Sequence, residues 1–138
     1  MPDFNSKIGR TIKRRLKQEQ IIWLTTVDAH ETPQPRPVWF HWDGETVLIF
    51  SQSAGAKVRH ITRNPRVALN FNTDSDGGAV GVLIGEAQIL REPVEPKRMK
   101  AYLSKYELGI KSLGMTLEAM TQGYPIAICV TPHSIRGM

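Results

Sequence analysis

Residues 20–51 read QIIWLTTVDAHETPQPRPVWFHWDGETVLIFS, and this stretch decides the fold class. Residues 20–27 are rich in β-branched and aromatic side chains, which suit a pleated strand better than a helix. Residues 28–33 form a polar turn. Residues 34–42 make a second extended run. Pro35 and Pro37 lack the N–H that a ladder needs, so that end lies on an edge or bulges away. Asp43-Gly44 is a strong hairpin signal, and residues 45–51 read as a third strand. Three strands joined by short turns predict an antiparallel meander.

Both flanks extend this pattern. Upstream, residues 6–18 read as a helix with Asn5 or Ser6 as its N-cap. Ile8, Ile12 and Leu16 recur every four residues and make one narrow apolar stripe. Such a helix lies on a surface or against a partner chain. Downstream, residues 53–64 read as a short helix ended by Asn64-Pro65. Residues 66–72 alternate, with Val67, Leu69 and Phe71 on one side. After a polar turn at 73–78, residues 79–91 form a long strand, in which Gly81 and Gly85 mark bulges or close backbone approaches. From Pro96 the spacing is helical through Met99, Tyr102, Leu103 and Tyr106, and again over 117–120. Residues 124–131 are the last strand, followed by the tail PHSIRGM. Six antiparallel strands with helices at the corners predict a mainly-β α+β domain, a closed or nearly closed small barrel spanning residues 1–138.

Composition excludes several classes. The chain has 138 residues, 41% apolar, enough for one core, so wholesale disorder is excluded. A single cysteine excludes an internal disulfide framework and a cysteine-based zinc site. No apolar stretch is long enough for a bilayer span, and the basic N-terminus lacks the apolar segment of a signal peptide. The economical expectation is a soluble cytoplasmic protein. The net charge of +5 is unevenly spread. Residues 1–20 carry six basic side chains against Asp3 and Glu19. Lys57, Arg59, Arg63 and Arg66 lie in a stretch with no acid from residue 46 to 73. Two basic clusters mark either an anionic partner or solvated faces.

The residues of ordinary catalysis are missing. His30, His41, His60 and His133 show no metal-binding spacing, Ser51 and Ser53 lie in no nucleophile elbow, and Cys129 falls within a strand. A cofactor that carries the chemistry would explain this, since the protein then supplies only anchoring and orientation. The best anchor is Ser51-Gln52-Ser53-Ala54-Gly55-Ala56-Lys57, which leaves a strand and opens a helix. Small residues let the backbone approach a ligand, helix-start amides favour a phosphate, and Lys57 adds charge, with Arg59 and His60 following. The same run also reads as an ordinary helix start with a solvated basic face. A second candidate is Arg36-Pro37-Val38-Trp39-Phe40, whose prolines leave backbone groups free to meet the polar rim of a flat heterocycle. From composition alone it reads first as a plain edge strand with Trp39 in the core.

Together these residues form a familiar order: Pro-Val-Trp-Phe at 37–40, Trp-Asp-Gly at 42–44, a strand, then Ser51, Lys57, Ile61, Asn64-Pro65 and Val67. This order resembles the pyridoxamine 5'-phosphate oxidase-like superfamily, and within it the flavin or deazaflavin oxidoreductases of the split-barrel type. The resemblance covers residues 8–137. The helix segment Tyr102-Leu103-Ser104-Lys105-Tyr106 and the ending Thr131-Pro132 to Ile135-Arg136-Gly137 are similar to a branch dependent on the deazaflavin coenzyme F-420. The resemblance implies an antiparallel six-stranded split β-barrel, the FMN-binding split barrel, with peripheral helices. It also implies a homodimer with two cofactors at the interface, either coenzyme F-420 (8-hydroxy-5-deazaflavin) or FMN. By analogy Lys57 grips the cofactor phosphate, with Ser51 and Arg36 nearby and Arg59 and His60 as phosphate-side neighbours. The backbone of Pro37, Val38, Trp39 and Phe40 faces the ring beside Gln52 and Ser53, and Arg136 reaches the partner's site.

The sequence departs from the family pattern in three places. His60 stands where an Asn is frequent. Gly55-Ala56 replaces the Ser-Arg pair that precedes the phosphate lysine of true pyridoxamine phosphate oxidases, and their Arg-Leu-x-Pro ending is absent. The departures disfavour pyridoxal phosphate synthesis. The expected function is hydride transfer between the cofactor and a small organic acceptor. Its acidic polyglutamate tail makes the deazaflavin the better match to the basic first helix. Two other readings are a flavin carrier or sensor without turnover, and a basic barrel that stacks nucleic-acid bases on Trp23, Trp39, Phe40 and Trp42.

Overall fold

The computed structural model describes residues 2–138. Helix α1 (Lys7–Gln18) is capped by Ser6, whose hydroxyl accepts the Gly9 amide at 3.0 Å. Ile12 and Leu16 are each 1% exposed, whereas Ile8, one turn earlier, is 41% exposed. The narrow stripe therefore packs on the chain's own sheet, against β3 (His41–Trp42) and β7 (Ile126–Gly137). Arg15 fixes the helix further: one guanidinium nitrogen donates to the Asn72 carbonyl at 2.7 Å, and the group lies 4.5 Å from the Phe71 ring centre.

The remaining elements follow in chain order. They are β1 (Ile22–Val27), β2 (Pro33–Val38), β4 (Val47–Ser51), α2 (Ala56–Arg63), β5 (Arg66–Asn70), β6 (Gly81–Ile89), α3 (Pro96–Ser112) and α4 (Leu117–Gly123). All strand pairings are antiparallel, in the order β2-β1-β5-β6-β7-β4-β3. The two edge strands, β2 and β3, are separated in sequence only by Trp39 and Phe40. Two residues thus join opposite edges of one sheet, which must curl on itself, and the fold is a split-barrel-like α+β structure.

The strand count is seven, not six, because the run 34–42 is two strands. Its first half pairs with β1 and its second with β4, so the meander expected from residues 20–51 is two hairpins on opposite edges. The cause lies at Phe40, whose backbone groups are diverted from any ladder. Its N–H donates to the Tyr106 hydroxyl at 2.9 Å, and its carbonyl accepts from Lys105 Nζ at 2.9 Å. Asp43 and Gly44 make the predicted turn: Gly44 has φ +102°, and Asp43 Oδ1 accepts the Glu45 and Thr46 amides. The last strand is longer than expected, because the tail PHSIRGM continues β7 to Gly137 alongside β6. A register shift at Ile84 and Gly85 accommodates that length. A Cβ at Gly85 would run into the Thr131 carbonyl, which is the close backbone approach its position in the strand predicts.

Two cores result. The larger fills the inside of the curled sheet, with Phe40, Ile49, Leu69, Phe71 and Leu83 nearly inaccessible and Ile61 of α2 covering one side. The smaller lies under α3 and α4, where Tyr102, Tyr106, Ile110 and Met120 pack on Trp39 and Phe50. The cleft described next opens where this second core meets β2.

Candidate functional site

The loop after β4 and the start of α2 give the site its cationic end. Gly55 is the N-cap of α2 and offers no side-chain cap. A Cβ there would stand 2.5 Å from Ser51 Oγ and 3.1 Å from the Gln52 carbonyl, so a side chain at this position would require the Ser51 hydroxyl to turn away. Lys57 follows in the first turn and is half-buried. Burial, and then the guanidinium of Arg36, push the Lys57 ammonium below its usual range. Neither cation has a carboxylate partner among the described residues. Two like charges held together without an acid are unfavourable alone and favourable around an anion.

From Lys57 a cleft of ≈ 340 Å³ runs along Pro37, Val38 and Trp39 to an apolar wall. That wall comes from Phe50, Tyr102, Met115, Met120 and Tyr124. Trp39 stacks on Tyr106, centroids 4.5 Å apart and planes 4° from parallel, and Phe50 meets Tyr102 edge-on at 4.7 Å. The cleft therefore has a cationic end, an extended backbone along one side and a rigid aromatic floor. This suits a flat ring system carrying an anionic tail.

The expected site residues divide accordingly. Pro37, Val38, Trp39 and Lys57 line the cleft together, with Arg36 beside Lys57. Gln52 and Ser53 are exposed on the loop that leads to α2. Ser51 is 1% exposed, and its hydroxyl donates to the Gln52 carbonyl at 3.1 Å. Phe40 is fully buried, so its side chain belongs to the core. Arg59 is exposed and donates to the Ala54 carbonyl at 3.0 Å. His60 Nδ1 lies 2.7 Å from the hydroxyl of buried Thr26 and ties α2 to β1. Arg136 falls on one ladder row with Val82, Asn70, Trp23 and Pro37. Arg136 is not among the residues that line this chain's own cleft.

Sequence reasoning gave no site role to Phe50, Met115, Met120, Tyr124, Lys105 or Tyr106. The last two set the cleft's backbone. The Tyr106 hydroxyl donates to the Gln20 carbonyl at 2.6 Å while accepting the Phe40 amide. Lys105 Nζ sits 3.7 Å from the Phe40 ring centre, and burial pulls its pKa down to about 8. Tyr102 and Tyr106 at i and i+4 were legible as one helix face, but not what that face covers. Of the four aromatics a base-stacking surface needs, Phe40 and Trp42 lie in the core and Trp39 is stacked on Tyr106.

Comparison with known proteins places this geometry. The family model described as pyridoxamine 5'-phosphate oxidase matches residues 8–137. A Listeria innocua protein provisionally assigned as a pyridoxamine 5'-phosphate oxidase is 25% identical, with 92% of this chain and 94% of that one aligned at TM-score 0.69. An F420 reductase is 24% identical, with 90% and 94% aligned at TM-score 0.69. The heme storage protein of Vibrio cholerae is 16% identical, with 96% and 95% aligned at TM-score 0.71. The last two likenesses are of fold alone. No curated protein matches the sequence.

Proposed function

The chain belongs to the pyridoxamine 5'-phosphate oxidase family, and from that premise we propose that it is an oxidoreductase that binds a flavin or deazaflavin in the Lys57 cleft. The observation that carries this reading is Lys57, half-buried and without a carboxylate partner among the described residues, at one end of a cleft walled by aromatic rings, with the Arg36 guanidinium near enough to depress its pKa. Lys57 and Arg36 would hold the cofactor phosphate. The backbone of Pro37 to Trp39 would meet the polar rim of the ring, and Phe50, Tyr102 and Met115 would exclude water from the opposite side. The bound cofactor supplies hydride transfer, and the acceptor is a small organic molecule that shares the cleft.

Three finer assignments belong to the same reading. Coenzyme F-420 is favoured over FMN, because its acidic tail suits the basic face of α1. Pyridoxal phosphate synthesis is disfavoured, because Gly55-Ala56 stands where true pyridoxamine phosphate oxidases carry a Ser-Arg pair before the phosphate lysine. The active unit is a homodimer in the cytoplasm. Trp23, Val82 and Ile84, the last 39% exposed, line the outward face of the sheet with Arg136, ready to meet a second copy. The lone cysteine, Cys129, fits a reducing compartment. No helix among the described residues is long and apolar enough to cross a membrane.

Absorbance and fluorescence titration of the protein with FMN and with F-420 tests the reading. Saturable binding of either cofactor supports it, and turnover of an acceptor by the reduced complex separates an enzyme from a carrier. Binding of neither would end it.

A further inference from the structure

A second cleft, of ≈ 690 Å³, lies on the other side of the β2–β3 corner. Its wall comes from α1, the turn after β3 and the first turns of α3. Four basic side chains face it, Lys13, Lys17, Lys97 and Arg98. The acids there are Asp43 and Glu95. Asp43 is engaged: its carboxylate accepts the Glu45 and Thr46 amides and pairs with Arg98 at 3.4 Å. Positive charge dominates this cleft. His41 also lines this cleft, and burial first, then Arg98 and Lys105, hold its imidazole below the usual range.

Among the described residues, only two buried side-chain polar atoms lack a hydrogen-bond partner, Trp42 Nε1 and Arg98 Nε. Both belong to residues that line this cleft. Trp42 is 7% exposed, and its ring is held by Phe4, centroids 5.6 Å apart. Both atoms are N–H donors that can only donate, and buried donors in native proteins have acceptors. Two buried donors without an acceptor thus belong to residues that share one cleft lining with Lys13, Lys17 and Lys97, a combination that suits an oxyanion.

We propose that this cleft is a second anion site, distinct from the Lys57 cleft, which takes a small oxyanion, a phosphate or a carboxylate, between Lys13, Lys97, Arg98 and the Trp42 indole. It needs no cofactor in the Lys57 cleft and does not rest on the function proposed above. The two clefts share only the backbone corner at residues 39–42 and helix α3.

The three indole N–H resonances of the 15N-labelled protein provide the test. Trp23→Phe and Trp39→Phe identify two of them and leave Trp42 by elimination, with its packing intact. Titration with sodium phosphate, and separately with sodium glutarate, at constant ionic strength should move the Trp42 resonance saturably. Response to phosphate alone assigns a phosphate site, and response to both assigns a general oxyanion site. In the Lys13→Gln/Lys97→Gln double variant the midpoint should rise at least about tenfold, the scale of a lost charge-assisted contact. Lys57→Ala should leave it unchanged. No saturable movement with either anion, movement matched by sodium chloride, or loss of the response in Lys57→Ala would overturn the proposal.

Discussion

Lys57 carries the clearest single-residue consequence. It is half-buried beside Arg36 and has no acid. Lys57→Ala should weaken flavin or deazaflavin binding by about 1.5–3 kcal/mol, roughly ten- to a hundredfold, read by spectral titration. An unchanged affinity would remove Lys57 from the phosphate. Tyr106 makes a different kind of contribution. Its hydroxyl bridges the Gln20 carbonyl and the Phe40 amide inside the protein. Tyr106→Phe keeps the stack on Trp39 but leaves the Phe40 amide without its partner, so stability should fall by about 1–3 kcal/mol in urea melts. Lys105 couples the same corner to pH. Its folded pKa of about 8 lies below the ordinary 10.5, so the unfolded chain binds more protons between those values. Stability should therefore rise from about pH 8 toward pH 10, as the buried ammonium loses its proton. Above that, Tyr102 and Tyr106 work the other way, since burial keeps their phenols protonated in the fold. A Lys105→Met variant should lose the rise, and a rise that persists would assign it to another group.

At the scale of elements, the long β6–β7 pairing depends on Gly85. The ladder shifts register there, and the Thr131 carbonyl occupies the space of any side chain. Because that obstacle is backbone, Gly85→Ala should force the strands apart and cost about 1–3 kcal/mol, whereas Gly123→Ala, where a Cβ would meet nothing, should not. A pair of thermal melts compares them. The proline-bearing run 34–42 shows how an element can be half legible. Its extended character and edge position follow from Pro35 and Pro37, since neither can donate to a ladder. Its division into β2 and β3 does not, because Tyr106 and Lys105, more than sixty residues away, take the Phe40 backbone groups.

At the scale of the molecule, the outward sheet face and the position of Arg136 bear on assembly. Light scattering coupled to size exclusion should give twice the monomer mass, and Ile84→Glu, a buried charge in such an interface, should shift it toward the monomer. A monomer with full cofactor affinity would count against a shared site. The sequence alone determined the mainly-β barrel class, the capped α1, the Asp43-Gly44 turn, the glycine at the strand crossing and the cationic run ending in Lys57. Each of these rests on local rules: alternation, turn chemistry, capping and charge spacing act over a few residues. Tertiary structure alone decided that β2 and β3 are opposite edges, that Arg36 stands beside Lys57, that Ser51 and Phe40 turn inward, and that Phe50, Tyr102 and Met115 wall the cleft. Those outcomes depend on which faces meet when the sheet curls. That choice belongs to contacts between residues distant in the chain, such as Tyr106 with Gln20 and Phe40, and no local pattern encodes it.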